Sequence, residues 1–154
     1  MSFTPRQILL WGALAALLTP AGVFVFVAIF KGLSIADTFR ALLAQLTAAR
    51  LNLLVCGALG WIPVSLLALF WYLLQRFSAS LRKSTAPVIG GLVPVVAVLL
   101  WVNLEYWPHF LPSRVPPSYP GGLELILGPG LFAPIGMLFG FLAGWLWARV
   151  GNRS

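Results

Sequence analysis

The chain has 154 residues, 60% of them hydrophobic and 8% charged, with a mean hydropathy of +0.97. That leaves too little polar surface for a water-soluble globule, and the length leaves no room for a sizeable soluble domain beside several membrane spans. The net charge of +7 comes from ten Lys and Arg scattered against three Asp and Glu, clustered nowhere beyond Arg82 and Lys83; it argues against a nucleic-acid surface and for contacts with lipid headgroups.

Crossing a hydrocarbon core of roughly 30 Å takes about 20 consecutive apolar residues. The first such stretch is 8–30, which is too long for a secretory leader and is followed by no small-residue cleavage site, so it is expected to remain as a span. Further stretches occupy 51–74, 85–104 and 125–148, and none of the four contains Asp, Glu, Lys, Arg or His. A single charge at mid-span costs about 2.5 to 3.5 kcal/mol on insertion scales, so four clean windows together predict an all-α integral membrane protein, a bundle of four transmembrane helices in one membrane domain.

Each stretch carries an interior proline: Pro20, Pro63, Pro94 and Pro134. Proline removes a backbone hydrogen bond and clashes with the carbonyl four residues earlier. Bent helices are therefore predicted, with carbonyls near Ala16, Leu59, Gly90 and Gly130 free for other donors.

Between the first two spans, residues 34–49 gather Ile35, Phe39, Leu42, Leu43 and Leu46 on one helical face, with Asp37 and Arg40 away from it. Ser34 and Asp37 have the spacing of a capping box. The prediction is a short amphipathic helix lying in the membrane interface, a docking surface for a larger partner or a plain connection.

The third span ends in an unusual polar stretch, 105–123, stiffened by five prolines. Glu105, Tyr106, Trp107, His109, Phe110, Arg114, Tyr119 and, just beyond, Glu124 are the candidate outer-face binding residues. A stiff aromatic loop loses little entropy when another protein or a lipid headgroup binds it. His109 follows Glu105 at a helical spacing of four, but without a second His or an HExxH pattern no metal site is predicted.

In the fourth span Gly136, Gly140 and Gly144 recur every four residues, with Gly128 in the same series. Small residues at this spacing let helix backbones approach closely, inside the bundle or against another subunit. Trp11, Trp71, Tyr72, Trp145 and Trp147 fall at one set of span ends and Trp101, Tyr106 and Trp107 at the other, which predicts two interfacial belts. Trp61 falls mid-span and is expected to pack against a neighbouring helix or a partner.

Counting Lys and Arg only, one side holds Arg6, Arg76, Arg82, Lys83, Arg149 and Arg153, and the other Lys31, Arg40, Arg50 and Arg114. The bias predicts both termini in the cytoplasm, in a bacterial inner membrane. Cys56 stands alone, so no intrachain disulfide or CxxC pair is possible. No phosphate loop, catalytic triad or cofactor motif occurs, and no catalytic residue or cofactor is predicted. The leading expectation is a non-catalytic membrane subunit or interaction protein, an accessory part of a larger complex or a blocker of another membrane protein, with lipid and a membrane-protein partner or a second copy as contacts. A small oligomeric transporter is the second reading, and an enzyme acting on a lipid-linked substrate the third.

Overall fold

The computed structural model describes residues 4–47, 52–77, 84–111 and 123–151. These residues form no strand. They build α1 (Pro5–Phe30), α2 (Ile35–Thr47), α3 (Asn52–Phe77), α4 (Ala86–Tyr106), α5 (Leu123–Leu127) and α6 (Ala133–Gly151). A 3-10 turn, Trp107–Phe110, extends α4, and a π-helical turn, Gly128–Phe132, fuses α5 to α6. Four helical stretches, Pro5–Phe30, Leu53–Leu73, Ala86–Phe110 and Leu123–Val150, are long and apolar enough to cross a membrane, which fits a multi-pass membrane protein. α1, α3 and α4 run on through Pro20, Pro63 and Pro94.

Local sequence sets the ends of α1. Thr4 caps it: its hydroxyl oxygen accepts from the Gln7 backbone N–H at 3.3 Å, while the Thr4 N–H donates to Gln7 Oε1 at 2.8 Å, and Pro5 occupies the first turn where its missing donor costs nothing. At the other end Gly32 adopts φ +84°, and the N–H groups of Gly32 and Leu33 turn back onto the carbonyls of Ile29 and Ala28 at 2.9 and 3.1 Å. This left-handed corner suits glycine and satisfies two otherwise orphaned carbonyls. Two residues on, Ser34 starts α2, its hydroxyl oxygen accepting from the Asp37 N–H at 3.1 Å and its O–H donating to the Asp37 carboxylate at 2.6 Å. The predicted box is thus present in altered form, with the carboxylate bonded to the hydroxyl of Ser34.

The long helices alternate in direction, and their inward faces fill two apolar clusters at opposite ends. At the end where α1 begins and α6 finishes, Ala16, Val64, Leu67, Trp71, Val88 and Phe141 meet. At the other, the α2 end, the cluster contains Phe24, Val27, Leu53, Cys56, Tyr106 and Trp107. Two predicted belt tryptophans are therefore core residues, Trp71 with 4% of its surface exposed and Trp107 with 0%. Depth along a helix brought them to the span ends, but rotation decided their surroundings: Trp71 shares the inward face of α3 with Val64 and Leu67, seven and four residues before it. Trp11, Tyr72, Trp101 and Trp147 remain exposed.

α2 divides its apolar residues. Leu42 and Leu46 pack against the cluster at the α2 end beside buried Thr38 and Gln45, whereas Ile35, Phe39 and Leu43 are exposed. The single apolar face expected from the sequence is two rows, and the inner row contains two polar residues.

The closest helix pair is α4 with α6. Gly136, Gly140 and Gly144 lie opposite Pro94, Gly90 and Ala86, two rows of small residues spaced by four and running antiparallel. A Cβ at Gly140 would strike the Gly90 carbonyl oxygen, and one at Gly144 would strike that of Ala86. The Gly90 oxygen is the acceptor freed by Pro94, and the hydrogen that replaces a side chain on Gly140 points at it. The same arrangement recurs between α1 and α3, where a Cβ on Gly60 would stand 3.2 Å from the Ala16 oxygen freed by Pro20. Cα–H···O contacts of this kind are worth about 0.5 to 1 kcal/mol each and return part of what the prolines remove.

Candidate functional site

The described members of the predicted binding set, Glu105, Tyr106, Trp107, His109, Phe110 and Glu124, stand at the α2 end, where α4 tightens into its 3-10 turn. The turn carries Trp107 into the bundle. There its ring stands edge-on to Phe24, with centroids 5.3 Å apart, and its centroid lies 5.0 and 5.9 Å from those of Tyr106 and Phe110. Tyr106 and Phe110 are 4.7 Å apart. Such edge and tilted contacts each add about 0.5 to 1.5 kcal/mol beyond the area they bury.

A buried polar relay holds this aromatic group in register. The Trp107 Nε1–H donates to Asn103 Oδ1 at 2.9 Å, and Asn103 Nδ2 donates back to the Leu99 carbonyl at 2.8 Å. Asn103 is 3% exposed, so both bonds are shielded from water, and loss of either would leave a polar group without a partner in an apolar surround. The residues are spaced by four along α4, so one face of one helix carries the whole relay.

Of the predicted site residues, Tyr106 and Trp107 thus turn inward and act as core, while Glu105, His109 and Phe110 are exposed around them. No hydrogen bond or ion pair joins Glu105 to His109. Glu124 is partly buried at the start of α5. Arg114 and Tyr119 lie outside the described residues, as does most of the predicted loop. Among the described residues no three of His, Cys, Asp and Glu come together as a metal would require. The described residues form a packed aromatic cluster with a thin polar rim.

Gly128 serves the same end of the bundle. It begins the π-helical turn, and a Cβ on it would strike Val102 Cγ2 of α4. The turn's other glycine, Gly130, has open space beside it.

Two features escaped the sequence reading. Asn103 at four residues before Trp107 was a visible spacing, and so was the Ala86, Gly90, Pro94 row that receives the glycines of α6. Comparison with protein-family models, curated proteins and solved structures returns no match.

Proposed function

We propose that this chain is a non-catalytic membrane subunit that works by binding another membrane protein through its outer helical faces. One observation carries the reading: among the described residues every Asp, Glu, Lys, Arg and His lies in an end turn of the four long helical stretches or outside them, and the cores between the helices are two apolar clusters beside which the buried polar residues are Asn103, Thr38 and Gln45. Transport through such an interior would lack the mid-membrane charged groups that bind and release cargo, and chemistry there would have the Cys56 thiol with no carboxylate, His or Lys beside it. Surface remains, and much of it is large and apolar, including Phe26, Phe30, Phe139 and Trp147.

Membrane insertion, bends at the prolines and the lie of α2 in the interface, with Ile35, Phe39 and Leu43 toward the acyl chains, belong to the same proposal. So does the assignment to a bacterial inner membrane with both termini cytoplasmic, which rests on the arginine bias. The chain, tagged at its C-terminus and extracted in mild detergent, is expected to bring down one membrane partner in fixed stoichiometry. A monodisperse monomer from native membranes, with no partner at any detergent strength, would refute the subunit reading. Ion or solute flux in liposomes holding only this chain would establish the transporter in its place.

A further inference from the structure

The end of the bundle where α1 begins and α3 finishes holds an open cavity of about 390 Å³ between the two helices, lined by Thr4, Arg6, Leu9, Trp71, Tyr72 and Gln75. Its floor, Leu9 and buried Trp71, is apolar and its rim is polar. The Tyr72 hydroxyl accepts from Arg76 Nη2 at 3.2 Å, and the Arg76 guanidinium lies 5.3 Å from the Tyr72 ring centroid. The hydroxyl therefore keeps its own hydrogen to donate. Thr4 is different, since its O–H is spent on Gln7 Oε1 at 3.0 Å.

Charge at this end has one sign. The described residues there include Arg6, Arg76 and Arg149 and no carboxylate, because Asp37, Glu105 and Glu124 all stand at the α2 end. Arg149 is held apart from the cavity's helices, 4.5 Å over the Trp145 ring on α6. Arg6 thus lines the cavity and Arg76 adjoins it through the Tyr72 hydroxyl, with no acidic neighbour among the described residues.

A second, smaller groove continues from the first between the same two helices. It shares Leu9 and runs on past Ala13, Trp61, Val64 and Ala68, with Ser65 as its one polar lining residue. A polar, cationic mouth leading into an apolar channel along one helix pair matches a molecule with an anionic head and a hydrocarbon tail. The depth agrees: α1 has 26 residues, about 39 Å at 1.5 Å per residue, so its first turn stands beyond a 30 Å hydrocarbon core, at headgroup level.

We propose that the α1–α3 groove binds one anionic phospholipid. Arg6 and the Tyr72 hydroxyl donate to its phosphate, Arg76 supplies a second positive charge, and an acyl chain lies along Leu9, Ala13 and Trp61. The inference rests on the membrane reading, which is tested separately by whether the chain stays in the membrane fraction after an alkaline carbonate wash.

The site is tested with the full chain in detergent, offered equimolar dioleoylphosphatidylglycerol and dioleoylphosphatidylcholine and weighed by native mass spectrometry. The phosphatidylglycerol adduct is expected to dominate. Arg6→Gln with Arg76→Gln is expected to cut that preference by about fivefold per arginine, whereas Arg149→Gln leaves it unchanged. Circular dichroism and thermal midpoints show whether the variants keep the fold. Equal retention of the two lipids, or a preference untouched by the double substitution in a folded protein, would overturn the proposal. Displacement of the lipid by millimolar inorganic phosphate would overturn its tail half, leaving a site for free phosphate.

Discussion

Replacing Gly140 by alanine tests the close approach of α4 and α6. The added methyl would strike the Gly90 carbonyl oxygen and stand 2.9 Å from both the Gly90 carbonyl carbon and Pro94 Cγ. Two of those atoms are backbone, so no side chain can move aside and the helices themselves must separate. Overpacking of this kind costs about 1 to 3 kcal/mol. Alanine also gains about 0.5 to 1 kcal/mol over glycine in a helix, so the proper reference is a glycine with empty space around it. Gly22 in α1 is such a position. Gly22→Ala is expected to be neutral or stabilising, Gly140→Ala to fall below it by about 1 to 3 kcal/mol, and Gly136→Ala, whose Cβ would stand 3.0 Å from the Pro94 side chain, to fall between. The assay is reversible unfolding in mixed micelles at rising SDS fraction, followed by helical circular dichroism. Gly90→Ala combined with Gly140→Ala is expected to cost less than the sum, because one separation relieves both clashes. If Gly140→Ala proves as stable as Gly22→Ala, the two backbones do not meet there and the account of the pair fails.

Further outcomes are measurable in the same assay. Trp107→Phe removes the donor to Asn103 and is expected to cost about 1 to 3 kcal/mol, as is Asn103→Leu; the double variant is expected to recover much of the loss, and additivity would refute the relay. Thr38 Oγ1 is buried without a hydrogen-bond partner, so Thr38→Val, which keeps the shape, is expected to stabilise by about 1 kcal/mol, and a drop in stability would mean the hydroxyl is satisfied. Cys56 is 3% exposed among Leu53, Phe24 and their neighbours, so maleimide labelling is expected to be slow in mild detergent and fast in SDS. Rapid labelling of the native chain would place an opening at the α2 end.

The four long helices were legible because a long charge-free run has few solutions other than a helix, and the predicted stretches differ from the four apolar helical stretches by zero to six residues at each end. Rotation about each axis was less legible. The membrane spans are apolar on all sides, so no period separates the lipid face from the core, and Trp71 and Trp107 were placed at the right depth but the wrong azimuth. The glycine row of α6 stood out, yet its counterpart did not, since Pro94 was read as a bend and not as the third member of a small-residue row with Ala86 and Gly90. The π-helical turn had a signal in the run Gly128, Pro129, Gly130, but one extra residue in a turn alters no hydropathy. For the candidate site the sequence supplied composition only. It grouped Glu105 with Trp107 because they are neighbours in the chain, and helical geometry turned them to opposite environments.

The notch that Gly90 and Pro94 cut into α4 has a bearing on how the protein is made. α4 leaves the ribosome before α6, so for the time between them the Gly90 oxygen lacks its counterpart on Gly140. The residue that fits the narrowest part of the notch is Gly140, which comes late in the chain. If the helices enter a membrane in chain order, the molecule passes through a three-span stage whose seam along α4 stays open until Gly140 of α6 closes it.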